Sequence, residues 1–224
     1  MSMSARAVRL KEPATHVVAV AALVCASLGV RAQTAEPTGE AAVAAAVIWG
    51  MPMAPADRTQ NVPVKTRTAL EDYRRREQAF RSGLTPPPGA TPMERELFAK
   101  RIAIERVLFC LFPRGDIARV AAGYASDADV AYEWEGMAEL PRREAAFVDG
   151  LLSELQQRWL APYLNLIAGH RKLCASQLDG PESDVDRRRT AGAAREQLKR
   201  ARDGGHPLIR LAAEHVLATE KCTE

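Results

Sequence analysis

The stretch from Thr91 to Phe112 is written as a helix from cap to stop, and it sets the class of the whole chain. Thr91 stands where an N-cap side chain takes up a free backbone N–H. Pro92 suits the first helical position because it has no N–H to leave unpaired, and Glu94 completes a capping box. Leu97, Phe98, Ile102, Leu108, Phe109 and Phe112 then spread an apolar face wide enough for a helix at the centre of a core. Pro113 and Gly115 stop it. Similar spacing predicts helices over 66–82, 116–124, 141–159, 162–178, 185–203 and, beyond Gly204 and Gly205, 207–221. Phe147, Val148, Leu151, Leu152 and Leu155 are the inward positions of the 141–159 segment. No stretch sustains the apolar–polar alternation of a half-buried strand. The expected class is all-α, built from antiparallel helix pairs, with about six or seven helices in a single domain over 66–224.

The first 32 residues have a different logic. Arg6, Arg9 and Lys11 precede an uncharged apolar run from Val17 to Val30, and Val30-Arg31-Ala32 offers the small residues a signal peptidase accepts. The mature chain is expected to start near Gln33, in the periplasm or outside the cell. The apolar run is shorter than the roughly 20 residues a spanning helix needs, so no transmembrane anchor is expected after cleavage. Lipidation at Cys25 is the alternative, with Val24 a poor fit to the small residue that normally precedes an acylated cysteine. Residues 33–65, Ala-rich and then broken by Pro37, Pro52, Pro55 and Pro63, read as an irregular or mobile arm with one short helix near 40–48.

The leader carries four Lys or Arg and one Glu, so the 31 basic and 28 acidic residues of the whole chain fall to 27 of each in the mature protein. A balanced charge gives no support to nucleic-acid or anionic-membrane binding. Arg74-Arg75-Arg76 and Arg187-Arg188-Arg189 lie beside acids and read as solvated helix faces. Cys110, Cys174 and Cys222 survive leader removal, which in an oxidising compartment predicts one bridge and one spare thiol. Cys110 sits in the apolar run Val107 to Phe112 and reads as a small buried hydrophobe, leaving Cys174 with Cys222 as the favoured pair.

Pro162-Tyr-Leu-Asn-Leu-Ile-Ala-Gly-His170 aligns with Pro207-Leu-Ile-Arg-Leu-Ala-Ala-Glu-His215, sharing Pro, Leu, Ala and His at an offset of 45. On that alignment, residues 141–178 and 184–221 resemble two helix pairs of a degenerate tetratricopeptide or related repeat. Most of that repeat's aromatic and small positions are missing: Phe147 has Gly192 as its equivalent. As a whole the chain resembles exported bacterial helical proteins of unknown function. The resemblance implies a short stack of helix pairs offering a groove to a protein or peptide partner.

Tyr132-Glu133-Trp134-Glu135-Gly136 is the most unusual local segment. If extended, it puts both rings on one face and both carboxylates on the other, a surface able to grip a sugar or peptide. The plainer reading is a helix start anchored by a buried Trp134 with both acids solvated. Glu133 and Glu135 also make an envelope hydrolase of glycan or peptide the alternative function, although neighbouring acids on one strand flank a bond awkwardly. His170 and Cys174 lie four apart on one predicted helix, and His215 and Cys222 on its neighbour, a set that would suit zinc. The plainer reading is histidines satisfied at a helix interface, with Arg171 paired to an acid. No GxSxG turn, SxxK helix or glycine-rich phosphate loop occurs, so no catalytic residue and no cofactor is assigned. The sequence supports an exported helical binding protein of the bacterial envelope with a protein or peptide partner.

Overall fold

Helix α1, Glu40–Trp49 (EAAVAAAVIW), is apolar on every side, and a helix of that kind is stable only inside a core. Ala42, Val43, Ala44, Ala46, Val47 and Ile48 are all buried. The structure, a computed structural model, describes residues 37–112, 117–126, 134, 136–154 and 158–222. Within them the elements following α1 are a 3-10 turn Ala56–Thr59, α2 Val64–Ala79, α3 Pro92–Leu111, α4 Ile117–Ser126, α5 Glu139–Ser153, a 3-10 turn Arg158–Leu160, α6 Ala161–Gln177, α7 Asp184–Asp203 and α8 Pro207–Thr219. The fold is all-α, with eight α-helices and no strand among the described residues.

The expected capping box of α3 is present: Glu94 N donates to Thr91 Oγ1 at 3.2 Å, and Thr91 N donates to Glu94 Oε2 at 2.7 Å. Ser183 Oγ accepts from Asp186 N at 3.2 Å to open α7. His206 Nδ1 accepts from Leu208 N at 3.3 Å to open α8.

The centre of the fold is α6 rather than α3. Tyr163 to Arg171 is buried without a break, because α5 and α7 both pack against this helix. Gly169 lets α7 come in: a Cβ there would stand 2.8 Å from Leu198 Cγ and 3.1 Å from the Ala194 carbonyl oxygen. Helix α8 packs on α7 and α1, and α1 also reaches α3. At that end Gly50, at φ 65°, closes α1 so tightly on α3 that a Cβ would lie 2.8 Å from Ala103 Cβ.

Two sequence expectations are corrected here. The described part of the 33–65 segment is not an irregular arm, because α1 within it contributes the fully buried Val43 and Val47 to the main core. The prolines after Trp49 turn the chain between α1 and α2 without loosening it. Arg74 and Arg76 are not solvated charges: Arg74 donates from Nη2 to the Ala54 carbonyl at 2.7 Å, and Arg76 donates from Nη1 to the Cys110 carbonyl at 2.8 Å. Each guanidinium ties α2 to a neighbouring segment. Arg75, pairing with Asp72 at 2.6 Å, is the solvated member of the three. The leader, 1–32, and the Cys25 position lie outside the described residues.

Cys174 and Cys222 form a disulfide with Cα atoms 4.7 Å apart, and Cys110 is a buried free cysteine. The bridge pins the tail after α8 to the last turn of α6. Two further contacts hold that tail: Cys222 N donates to Gln177 Oε1 at 2.8 Å, and Arg195 on α7 grips the Glu220 carboxylate at 2.7 and 3.0 Å.

Candidate functional site

Four helices and one turn converge on a single buried guanidinium. Trp49 ends α1, Tyr124 lies on α4, Glu144 on the inner face of α5, and Tyr163, His170 and Arg171 on α6. Trp134 precedes a turn in which Met137 N donates to the Trp134 carbonyl at 2.8 Å, with Gly136 at φ 76°. Ala138 N donates to the Asp179 carbonyl at 3.0 Å, so the turn is fastened to the segment after α6 and Trp134 is held against that helix.

Arg171 Nε stands 2.8 Å from Glu144 Oε2, with both side chains only 6% exposed. The N–H is not aligned on the oxygen, so this contact is an ion pair rather than a straight hydrogen bond. At that burial the desolvation of both charges is large, and the pair is tolerated because other groups complete it. Tyr124 OH donates to Glu144 Oε1 at 3.1 Å, and Arg171 Nη1 lies 2.9 Å from His170 Nδ1. The Arg171 Cζ sits 4.0 Å from the Trp49 ring centroid and 5.0 Å from that of Trp134, and the two indoles are 5.1 Å apart. A cation over two ring faces gains from both quadrupoles, most when it is desolvated. His170 closes the cluster edge-on to Trp49 at 5.2 Å.

The titrations follow from this packing. Burial first, and the Arg171 charge second, hold the His170 pKa well below the usual imidazole range. His170 is therefore neutral and accepts at Nδ1 from Arg171, which puts its proton on Nε2. Burial, and then the Glu144 charge, raise the Tyr124 hydroxyl well above its ordinary value. Burial also raises Tyr163, opposed by Arg171 and aided by Glu144. Both phenols stay protonated, and Tyr124 donates to Glu144.

The cluster floors a pocket of about 100 Å³ lined, among the described residues, by Ile48, Trp49, Ile104, Val107, Trp134 and the polar groups of Tyr124, Glu144, Tyr163 and Arg171, with Lys100 also on its wall. Arg171 and Glu144 balance each other on its floor, and both Glu144 oxygens are engaged. Such a site holds a ligand more readily than it activates a nucleophile.

Of the residues singled out in the sequence, Trp134, His170 and Arg171 come together here, and Arg171 pairs with an acid as expected. Tyr132, Glu133 and Glu135 lie outside the described residues. The zinc reading needed the thiolates of Cys174 and Cys222, which the disulfide consumes, and no group of three or more metal-binding side chains occurs among the described residues. His215 is half-buried on α8. Sequence reasoning missed Trp49, Tyr124, Glu144 and Tyr163. Glu144 carried a readable signal, since with Pro141, Ala145 and Val148 it forms the buried stripe of α5, where an acid needs a cation. Compared with known proteins, the chain matches no family model, no curated protein and no solved structure.

Proposed function

We propose that the chain is an exported binding protein of the bacterial envelope, and that it holds a protein or peptide partner by taking one side chain of that partner into the Trp49–Trp134 pocket. The observation that carries this reading is the pocket itself: two indole walls over a charge-balanced, desolvated floor, with room for one anchor group. Binding hot spots are built this way, from a buried aromatic anchor in a pocket that excludes water. Export is supported by the leader of 1–32 and by the Cys174–Cys222 bridge, a bond that persists in oxidising compartments. No described helix is long and apolar enough to cross a membrane. The pairs α5–α6 and α7–α8 correspond to the two aligned halves of the sequence, and this reading takes them as a short repeat presenting the site.

The test is selection of binding peptides from a displayed library against the mature protein, followed by replacement of Ile104, on the pocket wall, with Trp. Filling the pocket this way is expected to weaken the selected peptides by at least about tenfold, in keeping with loss of a buried anchor. Unchanged affinity for Ile104→Trp would place binding elsewhere and end this reading.

A further inference from the structure

We infer that the group accepted by the pocket is a neutral phenol, a single ring carrying one hydroxyl; the inference rests on the pocket being the binding site. Size comes first. An apolar cavity of about 150 Å³ takes benzene, whereas clefts for larger ligands run from about 300 Å³ upward. At about 100 Å³ this pocket is smaller than that cavity and takes at most one ring.

Charge comes second. The floor already contains a complete ion pair, Arg171 with Glu144, and Lys100 on the wall is engaged by an interaction of its own. A charged ligand would have to compete for groups that already have partners, and an uncompensated buried charge is the costliest group to hold. The ligand is neutral.

Hydrogen bonding comes third. Tyr163 is buried, 2% exposed, and lies on the pocket wall. Its hydroxyl feels the charges of both Arg171 and Glu144 but, unlike that of Tyr124, donates to neither. The hydroxyl opens on the cavity rather than onto a protein acceptor, so it can donate to a group that enters. The Glu144 carboxylate, with about four acceptor sites, has given one to Tyr124 and one to Arg171. A ligand hydroxyl set between them accepts from Tyr163 and donates to Glu144, while its ring lies among Trp49, Trp134, Ile104 and Val107. A bare hydrocarbon would leave the Tyr163 donor unpaired, and an aliphatic alcohol would forgo the ring contacts.

The same chemistry comes from two sources, a tyrosine side chain of a peptide or a free phenol. The experiment titrates the mature protein with p-cresol and with toluene by calorimetry, following the indole N–H signals of Trp49 and Trp134 by NMR. p-Cresol is expected to bind tighter than toluene, and Tyr163→Phe, which keeps the ring, is expected to weaken p-cresol by roughly three- to tenfold while leaving toluene unchanged. Equal binding of the two probes, or p-cresol insensitive to Tyr163→Phe, overturns the phenol assignment. If Ile104→Trp still abolishes probe binding or the selected peptides, the pocket reading stands without it. Failure of both probes together with peptides indifferent to Ile104→Trp sinks both. A tyrosyl peptide that binds more tightly than p-cresol, and loses that gain in its phenylalanyl twin, identifies the source as protein; no gain over p-cresol identifies it as a free phenol.

Discussion

Arg171 is the residue on which the site turns, because it touches a carboxylate, an imidazole and two indoles at once. Glu144→Gln keeps the shape of the partner and its hydrogen-bonding oxygen but leaves the guanidinium buried without a counter-charge. It is expected to lower stability by about 3–5 kcal/mol, read from the urea midpoint at constant slope. Two histidines, His170 buried and His206 half-buried, set the acid limb. In the unfolded chain both imidazoles take up protons near pH 6.5, whereas in the folded chain His170 is held well below that and His206 at about 4, in each case chiefly by burial and then by a neighbouring arginine. Their folded pKa values are lowered, so below pH 6.5 the unfolded state binds more protons and stability rises with pH across that window. His206→Asn keeps an N-cap acceptor for α8 and removes one titration. A shallower fall in stability between pH 6.5 and about 4 is expected, checked by denaturant titrations at each pH; a slope identical to that of the parent protein would show that His206 does not contribute. The Arg171–Glu144 pair could be half read from the sequence, since an arginine inside an apolar helix asks for an acid. Which acid answers depends on how α5 rolls against α6, and nothing local records that.

At the scale of the element, the helices themselves were legible, and what was misread was the setting of the first, expected near 40–48 in a loose arm and found in the core. Helix α3 has its cap written beside it in Thr91 and forms where expected; α7 also forms where expected, opened by Ser183, which sequence reasoning did not single out. Helix α1 has a glycine at each end and no side-chain cap, so only its unbroken apolar character marks it, and that also fits a loose Ala-rich arm. Its order comes from α8, more than 150 residues further on in the sequence. Two helical glycines separate propensity from packing. Gly192 on α7 has nothing within 4 Å of a built Cβ, so Gly192→Ala is expected to stabilise by up to about 1 kcal/mol. Gly169→Ala would drive a methyl into Leu198 and the Ala194 carbonyl and is expected to destabilise by about 1–3 kcal/mol despite the better propensity. Thermal melts of the two variants should move in opposite directions, and a rise in both would mean that α6 and α7 are free to separate.

At the scale of the molecule, the disulfide closes a loop of 48 residues that contains α7 and α8. Restricting the unfolded chain over that length is worth about 4 kcal/mol in the loop-entropy account. Cys222→Ser is therefore expected to lower unfolding free energy by about 3–4 kcal/mol, the remainder being retained by the Gln177 and Arg195 contacts to the tail. Loss of less than about 1 kcal/mol would mean that the unfolded chain keeps those helices together without the bond. The pairing was legible because Cys110 declared itself apolar. The pocket was not, since its walls come from residues between 48 and 171 whose only common property is the space they leave.

The seating of α1 against α8 also sets a schedule. The ribosome makes the first helix early and the last one at the very end, and until then Val43 and Val47 have only part of the surface that will cover them. Closure of the core over α1 is deferred to the completed polypeptide, so that the first helix made is among the last to be covered, while α5, α6 and α7 can already pack on one another.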